Sequence, residues 1–179
     1  MVEFAIIAPL FVLLLFGTIE LGYAFMDRET VQNASLTGAR VGSSEGTNTN
    51  ADYDILQAVK KAGSAMSAAK VKFIVVYKAS SYTASVPSSC LTASQAGTCN
   101  RYTGSNLTSA ASSFGCASGA LDIAWCPNTR KVALSGANGP PDYIGVYIQG
   151  RHDNLTGLFG KGYDFKSDTV IRLEPQRLA

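Results

Sequence analysis

The chain has 179 residues, enough for one domain plus an anchor. Fifteen Lys and Arg stand against 13 Asp and Glu, a net charge of +2, and charged residues make up only 16% of the chain. That balance offers no basic surface for nucleic acid, so no nucleic-acid partner is expected. The hydrophobic share of 46% is weighted toward the first 26 residues. Downstream, Ser, Thr, Gly, Ala and Asn dominate, as they do in many exported bacterial surface proteins.

The N-terminus opens Met1-Val2-Glu3-Phe4, followed by an apolar run that is next interrupted at Glu20 and stops at Asp27-Arg28-Glu29. A helix needs about 20 apolar residues to cross a bilayer, and an acid inside such a span is costly and functional by default. No Lys or Arg precedes Arg28, and Gly22-Tyr23-Ala24 is a poor cleavage site, so a cleaved secretory signal is the weaker reading. A leader already removed would account for the missing basic flank.

The pattern predicts one long helix over residues 3 to about 43, with Pro9 loosening a turn and Gly17 and Gly22 allowing close packing. Past Asp27 it turns amphipathic. Val31, Ala34, Ala39, Leu36 and Val41 are expected to face a core, and Arg28, Gln32 and Arg40 water. Gly42-Ser43-Ser44 is read as its end. Residues 1–26 then form a hydrophobic helix for a membrane or for packing into something else, 27–46 its amphipathic continuation, and 47–179 an extracellular head.

Asn50 or Asp52 is expected to cap a second helix reaching about Met66, with Ile55, Leu56, Val59 and Met66 inward. Strands are predicted over 70–78 (KVKFIVVYK), 143–149 (YIGVYIQ) and 166–173 (KSDTVIRL). Residues 154–162 read as a hairpin loop carrying Leu158-Phe159, either a partner patch or, the favoured reading, tucked under the sheet. A long helix followed by strands sharing one antiparallel sheet is an α+β fold: a long hydrophobic helix, then a head with a short helix, a small sheet and an irregular insertion at about 80–140.

That insertion holds Cys90, Cys99, Cys116 and Cys126. An even cysteine count behind a membrane segment favours two disulfides, and of three connectivities the local pairs Cys90–Cys99 and Cys116–Cys126 close most easily. Zinc is the competing reading. It fits poorly, because the spacings are not CxxC and the lone His152 lies far along the chain. No metal and no cofactor is expected. His152-Asp153 beside scattered serines makes no triad, so no catalytic residue is assigned and the chain is not read as an enzyme. Asn33-Ala34-Ser35, Asn106-Leu107-Thr108 and Asn154-Leu155-Thr156 fit the N-glycosylation pattern.

Val2-Glu3-Phe4-Ala5, then Pro9 and a Leu-rich run, Phe16-Gly17, Glu20-Leu21-Gly22 and the segment from Gln32-Asn33-Ala34 to Ala39-Arg40 resemble the TadE-like pilins of tight-adherence (Tad) pili. Asp142-Tyr143-Ile144-Gly145-Val146, Thr156-Gly157-Leu158-Phe159-Gly160 and Val170-Ile171-Arg172-Leu173-Glu174-Pro175 agree with this. Trp125-Cys126-Pro127 with Arg130 is similar to actinobacterial members.

The resemblance implies a prepilin that sits in the cell membrane, is cut by a prepilin peptidase, and is then drawn by the pilus assembly machinery into an extracellular filament or its tip. Its partners would be copies of itself or other pilins. Within the family the acid is expected fifth after the cut, behind a glycine; here Glu3 is third and the glycine is missing. Glu3 is the candidate assembly residue, pairing with a neighbour's N-terminal ammonium and fixing the axial stagger, since a buried charge pair offsets part of its desolvation cost. The simpler alternative leaves Glu3 among lipid headgroups at the helix start. Glu20 is a possible second intramembrane acid. It either pairs with a basic group on another subunit or, the favoured reading, snorkels to water near Tyr23 and Asp27. The alternative function is a membrane-anchored adhesin or binding module that does not polymerise.

Overall fold

The computed structural model describes residues 2–64, 70–154, 156–157 and 160–175, and at residues 2, 3 and 5 the backbone alone. Met66, Leu158 and Phe159 lie outside the described residues, and so do the expectations placed on them.

Helix α1 runs unbroken from Val2 to Glu45, 44 residues and about 66 Å long. Pro9 does not end it. Nor do Gly42-Ser43-Ser44: the helix ends one turn later, where Gly46 takes the left-handed conformation at φ 57. Gly42 serves packing instead. A Cβ there would fall 2.8 Å from Ile144 and 2.9 Å from Ile55, and one at Gly38 would fall 2.7 Å from Val59. Ala34, Gly38 and Gly42 recur every four residues, so they form one small-residue seam that lets α1 approach its neighbours closely.

Helix α2 spans Ala51–Ala62. Asn50 occupies its N-cap position but makes no side-chain capping bond, and Asp52 does not cap either. Asp52 turns inward, into the core.

Strands β1 (Val71–Ala79), β2 (Cys99–Thr103), β3 (Tyr143–His152) and β4 (Tyr163–Arg172) form one antiparallel sheet in the order β2-β1-β3-β4. On one face Ile74, Val76, Ile144, Val146 and Ile148 pack with Val31, Ala34 and Ala39 of α1 and Ile55, Leu56 and Val59 of α2. Ile55, Leu56 and Ile74 are fully buried, each worth about 2 kcal/mol in burial alone. The opposite face carries Phe73, Val75, Tyr77 and Tyr147 and is covered by the segment after β1, with Val86, Leu91 and the Cys90–Cys99 disulfide against it. Both faces of β1 are therefore buried, which explains its nearly continuous apolar run.

The second disulfide, Cys116–Cys126, ties the connection between β2 and β3, which otherwise holds only short 3-10 turns. Hence this is an α+β head of two helices and a four-stranded antiparallel sheet, stapled by two disulfides, with α1 projecting from it.

A projecting apolar helix and its anchor points

The two parts of α1 live in different surroundings. Phe4, Ile6, Ile7, Leu10, Phe11 and Leu14 are all 60% or more exposed, as is Leu21. From Val31 onward the inward face is closed against the head: Val31, Ala34 and Ala39 are at most 1% exposed, while Arg28, Gln32 and Arg40 face water. An apolar surface this large, showing on every side of a helix, belongs in lipid or against other helices. Between Phe4 and Ile19 there is no charged residue, a stretch of about 24 Å at 1.5 Å per residue. The helix is long and apolar enough to cross a membrane.

Three polar attachments fix where the docked part begins. The first is Glu20. It does not turn to water; it is 4% exposed, and its Oε2 accepts from Thr156 Oγ1 (2.8 Å) and the Thr156 amide (3.3 Å) in the β3–β4 connection. Its Oε1 is buried with no donor among the described residues.

Two turns further along, Asp27 is 2% exposed and accepts at one oxygen from Lys70 Nζ (3.1 Å), ahead of β1, and pairs with His152 Nδ1 (2.8 Å), at the end of β3. His152 leans on the Tyr163 ring, with centroids 5.4 Å apart. The lone histidine is therefore committed to the joint between helix and head.

The third attachment is a set of hydroxyls. Ser35 Oγ lies 2.7 Å from Ser167 Oγ and 2.9 Å from Thr169 Oγ1, and Ser43 donates to the Arg172 carbonyl (2.7 Å). These stitch the amphipathic half of α1 to the inner face of β4. At Glu3 the structure describes backbone only, within α1.

The head carries a separate buried polar cluster. Asp52 accepts from Arg130 Nη2, from the Tyr102 hydroxyl (2.6 Å) and from Asn100 Nδ2 (2.8 Å). Asn100 also clamps Trp125 by its backbone amide and carbonyl, each at 2.8 Å, and the Arg130 guanidinium sits 4.2 Å over the Trp125 ring. Burial, followed by the Asp52 carboxylate, holds the Tyr102 hydroxyl well above its ordinary pKa. On the other face of the sheet Tyr77 donates to Asp168 (2.7 Å), whose second oxygen accepts from the Val86 amide (3.0 Å). Burial raises the Asp168 pKa, against the lowering effect of those two bonds. These clusters hold the irregular insertion and the loop after β1 on the sheet. Among the described residues no group of three or more His, Cys, Asp and Glu is placed to bind a metal.

With the division of α1 in view, the comparison with known families falls on that same element. Residues 1–40 match the TadE-like protein family. The TadE-like segment thus covers the exposed part of α1 and most of its docked part, including Glu3, Glu20 and Asp27. No curated protein and no solved structure matches the chain. The TadE-like match together with the projecting apolar helix fits a Tad pilus-related, membrane-anchored protein with its head at the surface.

In the sequence the cost of an acid in an apolar span points to Glu3 and Glu20; what it does not join is Asp27, at the edge of that span, to Lys70 and the lone His152, or Glu20 to Thr156.

Proposed function

We propose that this chain is a structural subunit of a Tad-type pilus, held in the membrane as a precursor and then packed by the first part of α1 into an extracellular filament or its tip. The observation that carries the reading is the contrast within the TadE-like segment: apolar and largely exposed up to Ile19, held on the head by one face from Glu20 onward. Such a helix exchanges lipid for neighbouring helices at little hydrophobic gain, so packing and charge pairing must drive its assembly.

Glu3 supplies the charge. Its carboxylate pairs with the N-terminal ammonium of a neighbouring subunit, and only one stagger brings the two together. Glu20 does not fit that role as well, since Thr156 already occupies one of its oxygens. A prepilin peptidase and the pilus assembly machinery act on the precursor, and residues 1–26, 27–46 and 47–179 serve as core helix, continuation and surface head.

The test is electron microscopy of fibres sheared from cells, with mass spectrometry of their subunits, for the unaltered chain and for Glu3→Ala. The expected result is this chain in regular fibres, and a Glu3→Ala chain that stays in the membrane and out of fibres. Finding the unaltered chain only in membranes would replace the pilus reading with an anchored adhesin or binding module. Normal fibres from Glu3→Ala would remove the stagger role.

A further inference from the structure

Beside Glu20 lies a cleft of about 300 Å³, lined by Glu20, Leu21, Ala24, Asn154 and Tyr163. Most of this lining is apolar carbon, and among the described residues Glu20 is its one carboxylate. No cation lies within ion-pair distance of Glu20 among the described residues, and its buried Oε1 lacks a donor. A buried carboxylate oxygen without a donor is costly, so a site of this kind favours a ligand that brings one. The nearby cation, Lys70, is spent on Asp27, and Arg151 on Asp153.

The position of the cleft narrows the choice of ligand. It sits where the uncharged stretch of α1 ends, about one to two turns before the charged boundary at Asp27. Tyr23 and Tyr163 are each about half exposed at this level, the place where tyrosine rings collect between hydrocarbon and headgroups. Leu21, 60% exposed, forms an apolar wall of the cleft.

We infer that the cleft binds the primary ammonium headgroup of a membrane phospholipid. With a small turn of the Glu20 carboxyl, Oε1 accepts from the ammonium while Leu21, Ala24 and the Tyr163 ring contact the carbon skeleton behind it. A quaternary ammonium has no N–H to give and leaves Oε1 unpaired. This rests on the reading of α1 as a membrane helix.

The test uses the full chain in vesicles of equal parts phosphatidylethanolamine and phosphatidylcholine, floated on a gradient, extracted, and examined by native mass spectrometry for retained lipid. The expected result is a chain that floats and keeps the ethanolamine lipid about fivefold over the choline lipid, the scale of one charge-assisted hydrogen bond partly offset by desolvation. Glu20→Gln should bring the ratio to about one, and so should Leu21→Trp, which fills the cleft and spares the carboxylate.

A chain that floats but shows no preference overturns the inference and leaves the membrane reading standing. A preference that survives Glu20→Gln, or one that survives Leu21→Trp, overturns the assignment to this carboxylate or to this cleft. Loss of preference together with dimers cross-linked through Glu20 would give the site to a neighbouring copy instead. A chain that does not float overturns both readings.

Discussion

Removing Asp52 tests whether the head depends on a fully buried ion pair. Asp52 and Arg130 have side chains with 0% exposure, and three donors converge on the carboxylate: Arg130 Nη2, the Tyr102 hydroxyl and Asn100 Nδ2. Two Arg130 nitrogens, Nε and Nη1, already lack acceptors among the described residues. In Asp52→Ala the guanidinium is left buried with no carboxylate, keeping only the face of the Trp125 ring and a long contact to the Trp125 carbonyl, 3.5 Å away. Stranding one charge of a buried pair costs about 3–5 kcal/mol. The two neutral hydrogen bonds belong to the same network, so their loss is part of that figure and is not added to it. For a head of this size the melting temperature should drop by about 6–20 °C, at about 2–4 °C per kcal/mol.

Trp125 is the only tryptophan and lies under the Arg130 guanidinium, so its fluorescence reports on the cluster as the head unfolds. Urea and thermal unfolding of the full chain in detergent would give the difference. Asp52→Leu combined with Arg130→Met removes both charges and should recover most of the loss, because a buried pair adds little over apolar packing of similar volume. A single variant within about 1 kcal/mol of the parent, or a double variant worse than the single, would refute the reasoning.

Gly145→Ala should destabilise the head by about 1–3 kcal/mol, since a Cβ at that position would overlap the Tyr77 ring directly across the β1–β3 pair and the ring is packed in place; a urea midpoint unchanged from the parent would show that the ring moves aside freely. Tyr102→Phe should flatten the loss of stability at high pH. The folded chain holds the Tyr102 proton well above the ordinary value of 10.0, so its support is complete below about pH 10 and falls away as pH rises beyond it. Urea unfolding of parent and variant between pH 8 and 12 should therefore diverge only above pH 10, by about one proton's worth of slope. Equal slopes would mean that Tyr102 ionises without opening the cluster.

How much of this was legible in the sequence depended on whether the signal was local. The apolar helix and the strands around Phe73-Ile74-Val75-Val76, Ile144-Gly145-Val146 and Val170-Ile171 announce themselves by period and composition, and they lie in α1, β1, β3 and β4. Strand β2 did not. In Cys99-Asn100-Arg101-Tyr102-Thr103 the inward positions are filled by Asn100 and Tyr102, whose partners stand at Asp52 and Trp125. A strand whose buried side is polar shows no apolar alternation. The same limit hid the anchor points: Glu20 meets Thr156 across 136 positions, and Asp27 meets His152 across 125. Glycine misled for a different reason. Gly42 resembles a stop signal, but its missing Cβ is used for contact with Ile55 and Ile144, and the stop falls to Gly46.

These anchor points bear on how one helix serves two surroundings. If α1 passes from lipid into a filament, its exposed part changes solvent while its docked part keeps the head oriented. That requires a joint that holds independently of what surrounds residues 2–19. Asp27 is placed for it: one carboxylate draws the start of β1, through Lys70, and the end of β3, through His152, onto the same turn of α1. In Asp27→Ala, Lys70 is 34% exposed and turns to water, but His152 is 2% exposed and loses Nδ1's partner while Nε2 already has none among the described residues. A buried imidazole left in that state costs about 1–3 kcal/mol.

The cost should appear as local opening. Amide exchange at the end of β3 and along α1 from about Asp27 to Val31 should rise by about tenfold to a hundredfold, while exchange around Trp125 stays unchanged. In the parent chain those amides should exchange equally in detergent and in lipid vesicles. If they speed up on moving between the two, or if Asp27→Ala leaves them as they were, the joint does not isolate the head from the surroundings of its helix.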